Sequence, residues 1–458
     1  MTPLEQIIRE CLENKGTELD LSDEGISGTE PELELLKECT HLTSLDLSGN
    51  YGIDLSFLPF LTNLTHLYLV CNQNTNASSL QFLKNISYLQ FLTNLTYLDL
   101  SRNYLSKHYV TDLSFLSFLT NLTHLYLDET YIQDFSILQS LTNLTHLSIS
   151  MCEYGYEEKI AYDITPLQYL TNLEDLNLEG NQISDISALQ YLVKLTNLNL
   201  QSESLSDITP LKNLTNLTSL ILTGNYTSDI SDISILQHLT NLTDLSLENN
   251  QISDISILQH LTNLTSLSLI HNQISDISVL QHLTNLTSLS LARNQLSDIS
   301  ILQHLINLTD LSLGNNQLSD ISVLQYLTNL TDLSLTGNQL SDISILQHLT
   351  NLTNLSLSSA QLSDISVLQY LTNLTHLNLG HNQISDISPL QHLINLETLW
   401  LWFNQISHLS LSWVNSFTKL ERIMLHSNPI QNIPKEIFSQ LNIIKIRGFL
   451  EALEKSKT

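Results

Sequence analysis

Three sets of side chains in this sequence are of types that could carry chemistry, and the first is a column of aspartates. The segment "SDIS" returns every 22 residues in the second half of the chain. Stacked repeats would place its carboxylates about 5 Å apart, where they could collect divalent cations. The alternative is that each carboxylate caps its own turn by accepting backbone N–H groups. We favour capping, because no calcium-loop spacing accompanies these residues, which are Asp254, Asp276, Asp298, Asp320, Asp342, Asp364 and Asp386.

The second set is a column of imidazoles in the segment "LQHL". Its members are His238, His260, His282, His304, His348 and His392, with Tyr326 and Tyr370 at the same position. Imidazoles at repeat spacing could bind zinc or respond to pH. No cysteine or converging carboxylate stands in the same unit, so we interpret the column as surface residues spread by repeat duplication. The sequence therefore predicts no metal site and no cofactor.

The third set is aromatic and breaks a monotonous pattern. The segment "ETLWLWFNQISHL" (397–409) follows "THLNLGHNQISDI" (375–387), so Trp400, Trp402 and Phe403 replace small or polar residues. Exposed tryptophan, tyrosine and arginine side chains are where interface energy concentrates. The alternative is that the two tryptophans pack against the C-terminal tail. We favour binding.

A repeat positions all three sets. The unit LxxLxLxxN recurs seventeen times, from "LTSLDLSGN" (42–50) to "LERIMLHSN" (420–428), after a half-unit "LDLSDEGI" (19–26). Its ninth residue is the structural asparagine at Asn50, Asn72, Asn103, Asn181, Asn225, Asn250, Asn272, Asn294, Asn316, Asn338, Asn382, Asn404 and Asn428. It is replaced by Thr130, Cys152, Glu203 and Ala360, where we expect weak points.

The leucines of the unit predict a strand with one buried face. Two leucines flank a single residue in LxLxx, and this alternation is the period of a β-strand. One unit cannot bury its own leucines, so each unit depends on its neighbours. The ninth asparagine is a turn residue whose amide can satisfy backbone groups in the loop that leaves the strand.

The full unit, such as "LTNLTSLSLIHNQISDISVLQH" (261–282), resembles leucine-rich repeat proteins. It is similar to the 22-residue class of internalins and of a protein-phosphatase regulatory subunit. The resemblance implies an α/β fold: a right-handed solenoid, shaped as a horseshoe or arc, with a concave parallel β-sheet and a mostly 3₁₀ or irregular convex side. We expect a capping helix over 1–18, a solenoid of a half-repeat and 17 repeats over 19–430, and a C-terminal capping helical tail over 431–458.

The two ends also resemble the leucine-rich part of bacterial Roco proteins. "TPLEQIIRECLEN" (2–14) reads as an amphipathic helix, and "NPIQNIP" (428–434) leads into a helical tail. In that family a GTPase follows, but no GxxxxGK[ST] motif occurs in this sequence.

Outward strand residues change character along the chain and give the candidate binding surface. The middle of the chain carries a row of serines from Ser246 to Ser356, which offers little binding energy. Because Leu399 and Leu401 must face the core, Trp400 and Trp402 are directed to the concave face. The candidates toward the two ends are His66, Tyr68, Tyr97, Arg102, His124 and Tyr126, and His376, His381, Trp400, Trp402, Phe403, Arg422, Met424 and His426. Extra residues after positions 72, 103 and 152 border the first group and favour a binding role.

Composition narrows the function. The chain has 458 residues with 17 Lys and Arg against 46 Asp and Glu, a net charge of −29. Such a surface repels nucleic acid phosphates and anionic membranes, so we expect neither as a partner. The N-terminus has no signal-peptide pattern, and the four cysteines form no CxxC pair, which favours a cytoplasmic location.

The sequence thus predicts a monomeric, non-enzymatic scaffold that binds a protein, of unidentified nature, on its concave face. No phosphate-binding glycine loop or metal spacing supports catalysis. One alternative is an exported effector or adhesin related to internalins. Another is a regulatory leucine-rich module related to Roco GTPases that lacks the GTPase domain.

Overall fold

The computed structural model describes residues 2–26, 30–50, 53–70, 85–103, 113–130, 132, 134–151, 163–201, 205–224, 230–434 and 443–455. The chain forms two compact units, Met1–Asn241 and Leu242–Thr458. Most of the residues added after positions 72, 103 and 152 lie outside the described ranges. The same holds for Asn72, Asn225, Cys152 and Glu203.

The first unit begins with helix α1 (Pro3–Asn14). Thr2 caps it by accepting a hydrogen bond from the Glu5 N–H at 3.1 Å, and Lys15 ends it in the left-handed region at φ 51°. Ile8 and Cys11 are buried, as the amphipathic pattern of the sequence predicts.

Nine strands follow in the first unit, each paired in parallel with the next. They are β1 (Glu18–Asp20), β2 (Ser44–Asp46), β3 (His66–Tyr68), β4 (Tyr97–Asp99), β5 (His124–Tyr126), β6 (His146–Ser148), β7 (Asp175–Asn177), β8 (Asn197–Asn199) and β9 (Ser219–Ile221). The 3₁₀-helices of this unit are Pro31–Glu38, Leu58–Phe60, Ile86–Phe91, Ser114–Phe118, Phe135–Leu138, Thr165–Tyr169, Ser187–Tyr191, Thr209–Asn213 and Ser234–His238.

The second unit repeats the same pattern with stricter spacing. Its strands are β10 (Asp244–Ser246), β11 (Ser266–Ser268), β12 (Ser288–Ser290), β13 (Asp310–Ser312), β14 (Asp332–Ser334), β15 (Asn354–Ser356), β16 (His376–Asn378), β17 (Thr398–Trp400) and β18 (Arg422–Met424). Its 3₁₀-helices are Ser256–His260, Ser278–His282, Ser300–His304, Ser322–Tyr326, Ser344–His348, Ser366–Tyr370 and Ser388–His392, and its α-helices are α2 (Leu411–Ser416) and α3 (Ile443–Lys455).

Each strand is three residues long, and its central leucine or isoleucine enters the core. Leu289 of β12 is fully buried, while Ser288 and Ser290 on either side are partly exposed. Neighbouring strands pair one repeat apart, so that Leu267, Leu289 and Leu311 stand opposite one another. Equivalent side chains therefore form columns at about 4.8 Å spacing.

The asparagine at the ninth position ties successive repeats together. Asn294 donates from Nδ2 to the carbonyl of Leu291 in its own repeat (3.1 Å) and to that of Leu269 in the preceding one (2.9 Å). Its Oδ1 accepts from the Ile274 N–H at 3.0 Å. One buried amide thus satisfies three backbone groups that lie out of reach of water.

Two of the four positions at which another residue replaces the asparagine lie in the described residues. Thr130 is buried, and its hydroxyl donates only to the Leu127 carbonyl. At Ala360 the backbone changes: Gln361 has a φ of 61°. The next repeats before and after have backbone hydrogen bonds, Gln339 N to Leu318 O (3.0 Å) and Gln383 N to Leu362 O (2.8 Å). The equivalent bond from Gln361 is absent from this described stretch.

The loops beside Ala360 enclose a cavity of 180 Å³. Leu340 and Ser341 line it from one repeat, and Leu362 and Ser363 line it from the next. Without an amide at position 360, the two loops lack the side chain that joins them elsewhere in the unit. The lost connection supports the prediction of a weak point at this repeat, which a stability measurement would test.

The aspartate column caps turns, as we expected. Asp254 accepts the Ser256 N–H at 2.8 Å just before a 3₁₀-helix. This bond lowers the pKa of the Asp254 carboxyl, since it favours the charged form. No group of three or more potential metal ligands occurs among the described residues. The histidines of the "LQHL" column are exposed at the ends of the 3₁₀-helices.

The C-terminal part departs from the repeat. An α-helix, α2, stands where the preceding repeats have a 3₁₀-helix, and Ser410 caps it by accepting from the Trp413 N–H at 3.2 Å. Trp413 is buried, and its indole N–H donates to the Ile387 carbonyl at 2.9 Å. Arg447 of α3 donates to the Phe417 carbonyl at 2.9 Å, which fixes α3 beside α2.

The predicted α/β fold class, a solenoid of parallel strands and 3₁₀-helices, is confirmed. Among the described residues, no helix is both long and apolar enough to span a bilayer.

Candidate functional site

The outward side chains of β3 to β6 form an aromatic ladder. We use this name for six residues: His66, Tyr68, Tyr97, His124, Tyr126 and His146. Register places them, because His66, Tyr97, His124 and His146 are the first residues of consecutive paired strands. The sequence prediction named five of the six and missed His146. Its register with His124, one repeat earlier, is the signal that could have found it.

The rings of the ladder contact one another. The centroids of His66 and Tyr97 lie 5.7 Å apart at an interplanar angle of 20°, and those of Tyr97 and His124 lie 5.7 Å apart at 25°. His124 and His146 are closer, at 4.2 Å and 10°. Because the faces are taken up by neighbouring rings, the edges are left for solvent or a partner.

Threonines fix the tautomer of the imidazoles. The Thr123 hydroxyl donates its single proton to the Thr96 carbonyl at 3.0 Å. The 2.9 Å contact between Thr123 Oγ1 and His124 Nδ1 therefore requires the proton on Nδ1. Neutral His124 then presents Nε2 as an acceptor. His66 and His146 have the same arrangement with the preceding threonines.

Acidic residues surround the ladder and shift its titration. Burial raises the pKa of the Tyr97 hydroxyl, and the carboxylate of Asp99 adds to the effect. Burial also raises the pKa of Asp99, although Ser101 opposes the shift by hydrogen bonding. Burial, followed by the neighbouring imidazoles of His146 and His66, lowers the pKa of His124. These shifts favour the neutral forms of Tyr97 and His124.

Arg102 lies in the turn that follows β4. Its side chain is exposed, and its Nε lies 3.7 Å from Glu129 Oε1. The sequence prediction grouped Arg102 with the aromatic residues because it belongs to the same repeat as Tyr97. In the structure its ionic partner is Glu129.

A second aromatic group, the tryptophan cluster, consists of His381, Trp402, Phe403 and His426. The His381 and Phe403 rings stack at 4.5 Å and 7°, and Trp402 meets His381 edge-on at 4.3 Å. Trp402 also lies 5.7 Å from His426 at 22°. Phe403 is 48% exposed, so the cluster offers apolar surface to solvent.

Gly380 makes room for the indole of Trp402. A Cβ atom at this position would lie 2.5 Å from Trp402 Nε1, so a larger residue would displace the ring. The ring contacts of Trp402 in the described structure are with His381, Phe403 and His426. Trp413 is itself a residue of α2, and its buried ring meets Phe417 edge-on at 4.8 Å.

Trp400 is separate from this cluster and ends a groove. It is the last residue of β17 and pairs with Asn378 on one side and Met424 on the other. Met424 is half-buried, and Arg422 is exposed on the same strand. His376 is exposed on β16, with its Nδ1 2.9 Å from the Thr375 hydroxyl.

The groove is a cavity of 310 Å³ on the sheet face of β13 to β17. Asp310, Asp332, His376 and Trp400 are among its lining residues, with Ser334 and its equivalents between them. The sequence prediction assigned little binding energy to this serine row. It missed the groove because the space above the serines depends on the larger side chains around them, such as Trp400.

Comparison with known proteins identifies the family. Models of leucine-rich repeats match residues 240–282, 284–326, 328–370 and 372–411 (two copies each), residues 38–53 and 169–189, and residues 94–116. An internalin of Listeria monocytogenes, InlF, is 34% identical over 86% of this chain and 93% of its own, with a TM-score of 0.57. This chain is an internalin-like leucine-rich repeat protein.

Two further structures are similar to this internalin-like protein. The ectodomain of the Arabidopsis thaliana receptor kinase GASSHO1/SCHENGEN3, solved in complex with CASPARIAN STRIP INTEGRITY FACTOR 2, is 26% identical, with a TM-score of 0.62 over 92% of this chain and 51% of its own. A leucine-rich repeat protein of Leptospira interrogans is 24% identical, with a TM-score of 0.55 over 97% of this chain and 96% of its own, and shares the fold. No curated protein matches the chain.

Proposed function

We propose that this internalin-like protein is a non-enzymatic scaffold that binds a protein partner through the sheet face of its strands. The observation that carries the proposal is the tryptophan cluster. It places two large aromatic rings and two imidazoles in mutual contact, with Phe403 left 48% exposed. Large aromatic side chains in such a cluster are the usual centres of interface energy.

The sheet face of the first unit offers a second set of contacts in the aromatic ladder. Its ring edges present Nε2 acceptors and tyrosine hydroxyls, which suit a partner with polar donors. The net charge of −29 disfavours nucleic acid and anionic membranes. We therefore propose a protein with a polar or basic surface, bound by a monomer of this chain.

The test is affinity capture from the source lysate. The chain with Trp402→Ser and Phe403→Ser, which leaves Trp400 in place, should lose a partner that the wild type retains. A matched control carries Tyr326→Ser and Tyr370→Ser, which remove side chains more than half exposed away from the sheet face. Circular dichroism first establishes that both variants are folded.

The control should retain the partner. If both variants capture the same partner as the wild type, the cluster is not the binding site and Tyr68, Tyr97 and Tyr126 become the residues to replace. Loss in both variants would show that capture depends on non-specific binding by exposed apolar residues and would contradict the proposal.

We propose a cytoplasmic location, supported by Cys11 and Cys39. Both are buried thiols outside any disulfide, and burial raises the pKa of Cys39 to about 12, which keeps it protonated and unreactive. The 34% identity to InlF favours a second candidate, an exported effector or adhesin. Fractionation of the source cells distinguishes them, since an exported form would collect in the medium or at the cell surface.

A further inference from the structure

The groove on β13 to β17 differs from the rest of the sheet face in both shape and charge. The serines Ser312, Ser334 and Ser356 stand in register on adjacent strands, and their short side chains leave its floor open. Trp400 stands in the same column two strands beyond Ser356 and forms a wall. At the other end of the 310 Å³ space lie two carboxylates, Asp310 and Asp332.

The two carboxylates lie side by side on neighbouring strands, and no ion pair among the described residues includes either of them. Asp310 and Asp332 stand directly opposite on β13 and β14. Asp332 accepts from the Thr331 hydroxyl at 2.8 Å and from the Asn354 amide. Within the described residues no hydrogen bond or ion pair reaches the side chain of Asp310. Burial and the adjacent Asp332 raise its pKa.

Cations are scarce in this part of the chain. Between positions 213 and 418 the sequence has one basic residue, Arg293. The three ion pairs among the described residues join Arg9 to Glu5, Lys37 to Glu34 and Arg102 to Glu129, all in the first unit. The lining of the groove includes the imidazole of His376 but no lysine or arginine. A lysine or arginine opposite Asp310 and Asp332 is therefore best supplied by another molecule.

We propose that this groove binds an extended segment of the partner protein with a basic side chain over Asp310 and Asp332 and an apolar side chain against Trp400. The inference rests on the proposed function and specifies the chemistry of the bound segment. From β14 to β17 there are three strand steps, about 14 Å at about 4.8 Å each. That is the length of about four extended residues, and an even separation points both side chains to the same face.

The experiment is selection from a library of random dodecapeptides on the intact chain. Enriched peptides should carry arginine or lysine about four positions from a large apolar residue. A selected peptide should bind about tenfold more weakly to a variant with Asp310→Asn and Asp332→Asn, because two desolvated carboxylates are lost. Trp400→Ser should weaken it independently, through the apolar end.

A matched control removes the same charge elsewhere. Asp342→Asn with Asp364→Asn takes two carboxylates from turns outside the groove and should leave binding within about twofold, since general attraction by net charge changes equally. Circular dichroism checks that each variant is folded. Enrichment without basic residues, no enrichment, or equal losses in both double variants would overturn the inference.

The outcomes separate this inference from the proposed function. If the captured partner depends on the tryptophan cluster but library peptides ignore Asp310 and Asp332, the scaffold proposal stands and the groove proposal fails. If sedimentation shows self-association of the wild type that the Asp310→Asn and Asp332→Asn variant abolishes, the occupant is a second copy of this chain and the partner-segment inference is wrong.

Discussion

At the scale of single residues, the two aromatic groups differ in how their rings are used. In the ladder, His124 and His146 stack face to face at 4.2 Å, so a charge on one ring opposes a charge on the other. In the tryptophan cluster the rings meet at mixed angles, and Phe403 remains open to solvent. The stacked pair in the ladder thus disfavours two positive charges at once, whereas the cluster offers apolar surface for contact.

Replacing His146 with glutamine should raise the pKa of His124 toward 6.5, its ordinary value. The change removes a neighbouring imidazole that disfavours protonation, while burial continues to lower the pKa. Nitrogen-15 NMR titration of the imidazole measures it. The control, His392→Gln, alters an exposed histidine of the "LQHL" column and should leave His124 unchanged. A His124 pKa that stays constant in His146→Gln would show that the His146 imidazole does not contribute to it.

The lowered pKa also fixes the direction of a pH effect on stability. The folded state holds the His124 proton less tightly than the unfolded chain does. This histidine therefore favours folding above about pH 6.5, and that contribution is lost as pH falls below it. The melting temperature of the wild type minus that of His124→Gln should therefore be lower at pH 5 than at pH 7. A difference that rises toward acid pH would contradict this assignment.

At the scale of elements, the ninth-position asparagines join each repeat to the preceding one. Replacing Asn294 with alanine should lower the free energy of unfolding by about 1–3 kcal/mol, because three buried backbone groups lose a partner. Ala360→Asn should raise it, since the new amide can reach the loops around the 180 Å³ cavity. Urea denaturation measures both. Ser300→Ala, on an exposed 3₁₀-helix, is the control, and a destabilised Ala360→Asn would show that the loop cannot close.

Much of this level could be predicted from the sequence, and the exceptions have physical causes. The period-2 leucines predict strands such as β12, and the recurring LxxLxLxxN motif predicts the register that brings Tyr97 beside His124. Helix α2 was missed because its Leu411–Ser416 segment lacks the repeat's own leucine pattern, and burial of Trp413 stabilises it. The groove was missed because its depth depends on side chains from five strands, which no single repeat encodes.

At the scale of the whole molecule, the net charge of −29 should make stability depend on salt. Self-repulsion destabilises a compact acidic chain, and at physiological ionic strength salt screens the repulsion between exposed charges more than about 8 Å apart. The melting temperature should therefore rise as sodium chloride replaces low-salt buffer. Sodium and potassium chloride should act alike at equal ionic strength. A fall in melting temperature with salt would mean that attractive ion pairs outweigh the repulsion.

The constant register of the second unit has a consequence for how such a chain can change length. From Asn250 to Asn404 the ninth position advances by 22 residues at every step, and each strand meets its neighbour with the same offset. Unequal recombination between two of these near-identical stretches removes or adds a whole number of units, so each new junction joins surfaces that already fit. Length can drift between generations while the two ends, which carry the aromatic groups, keep their own sequences.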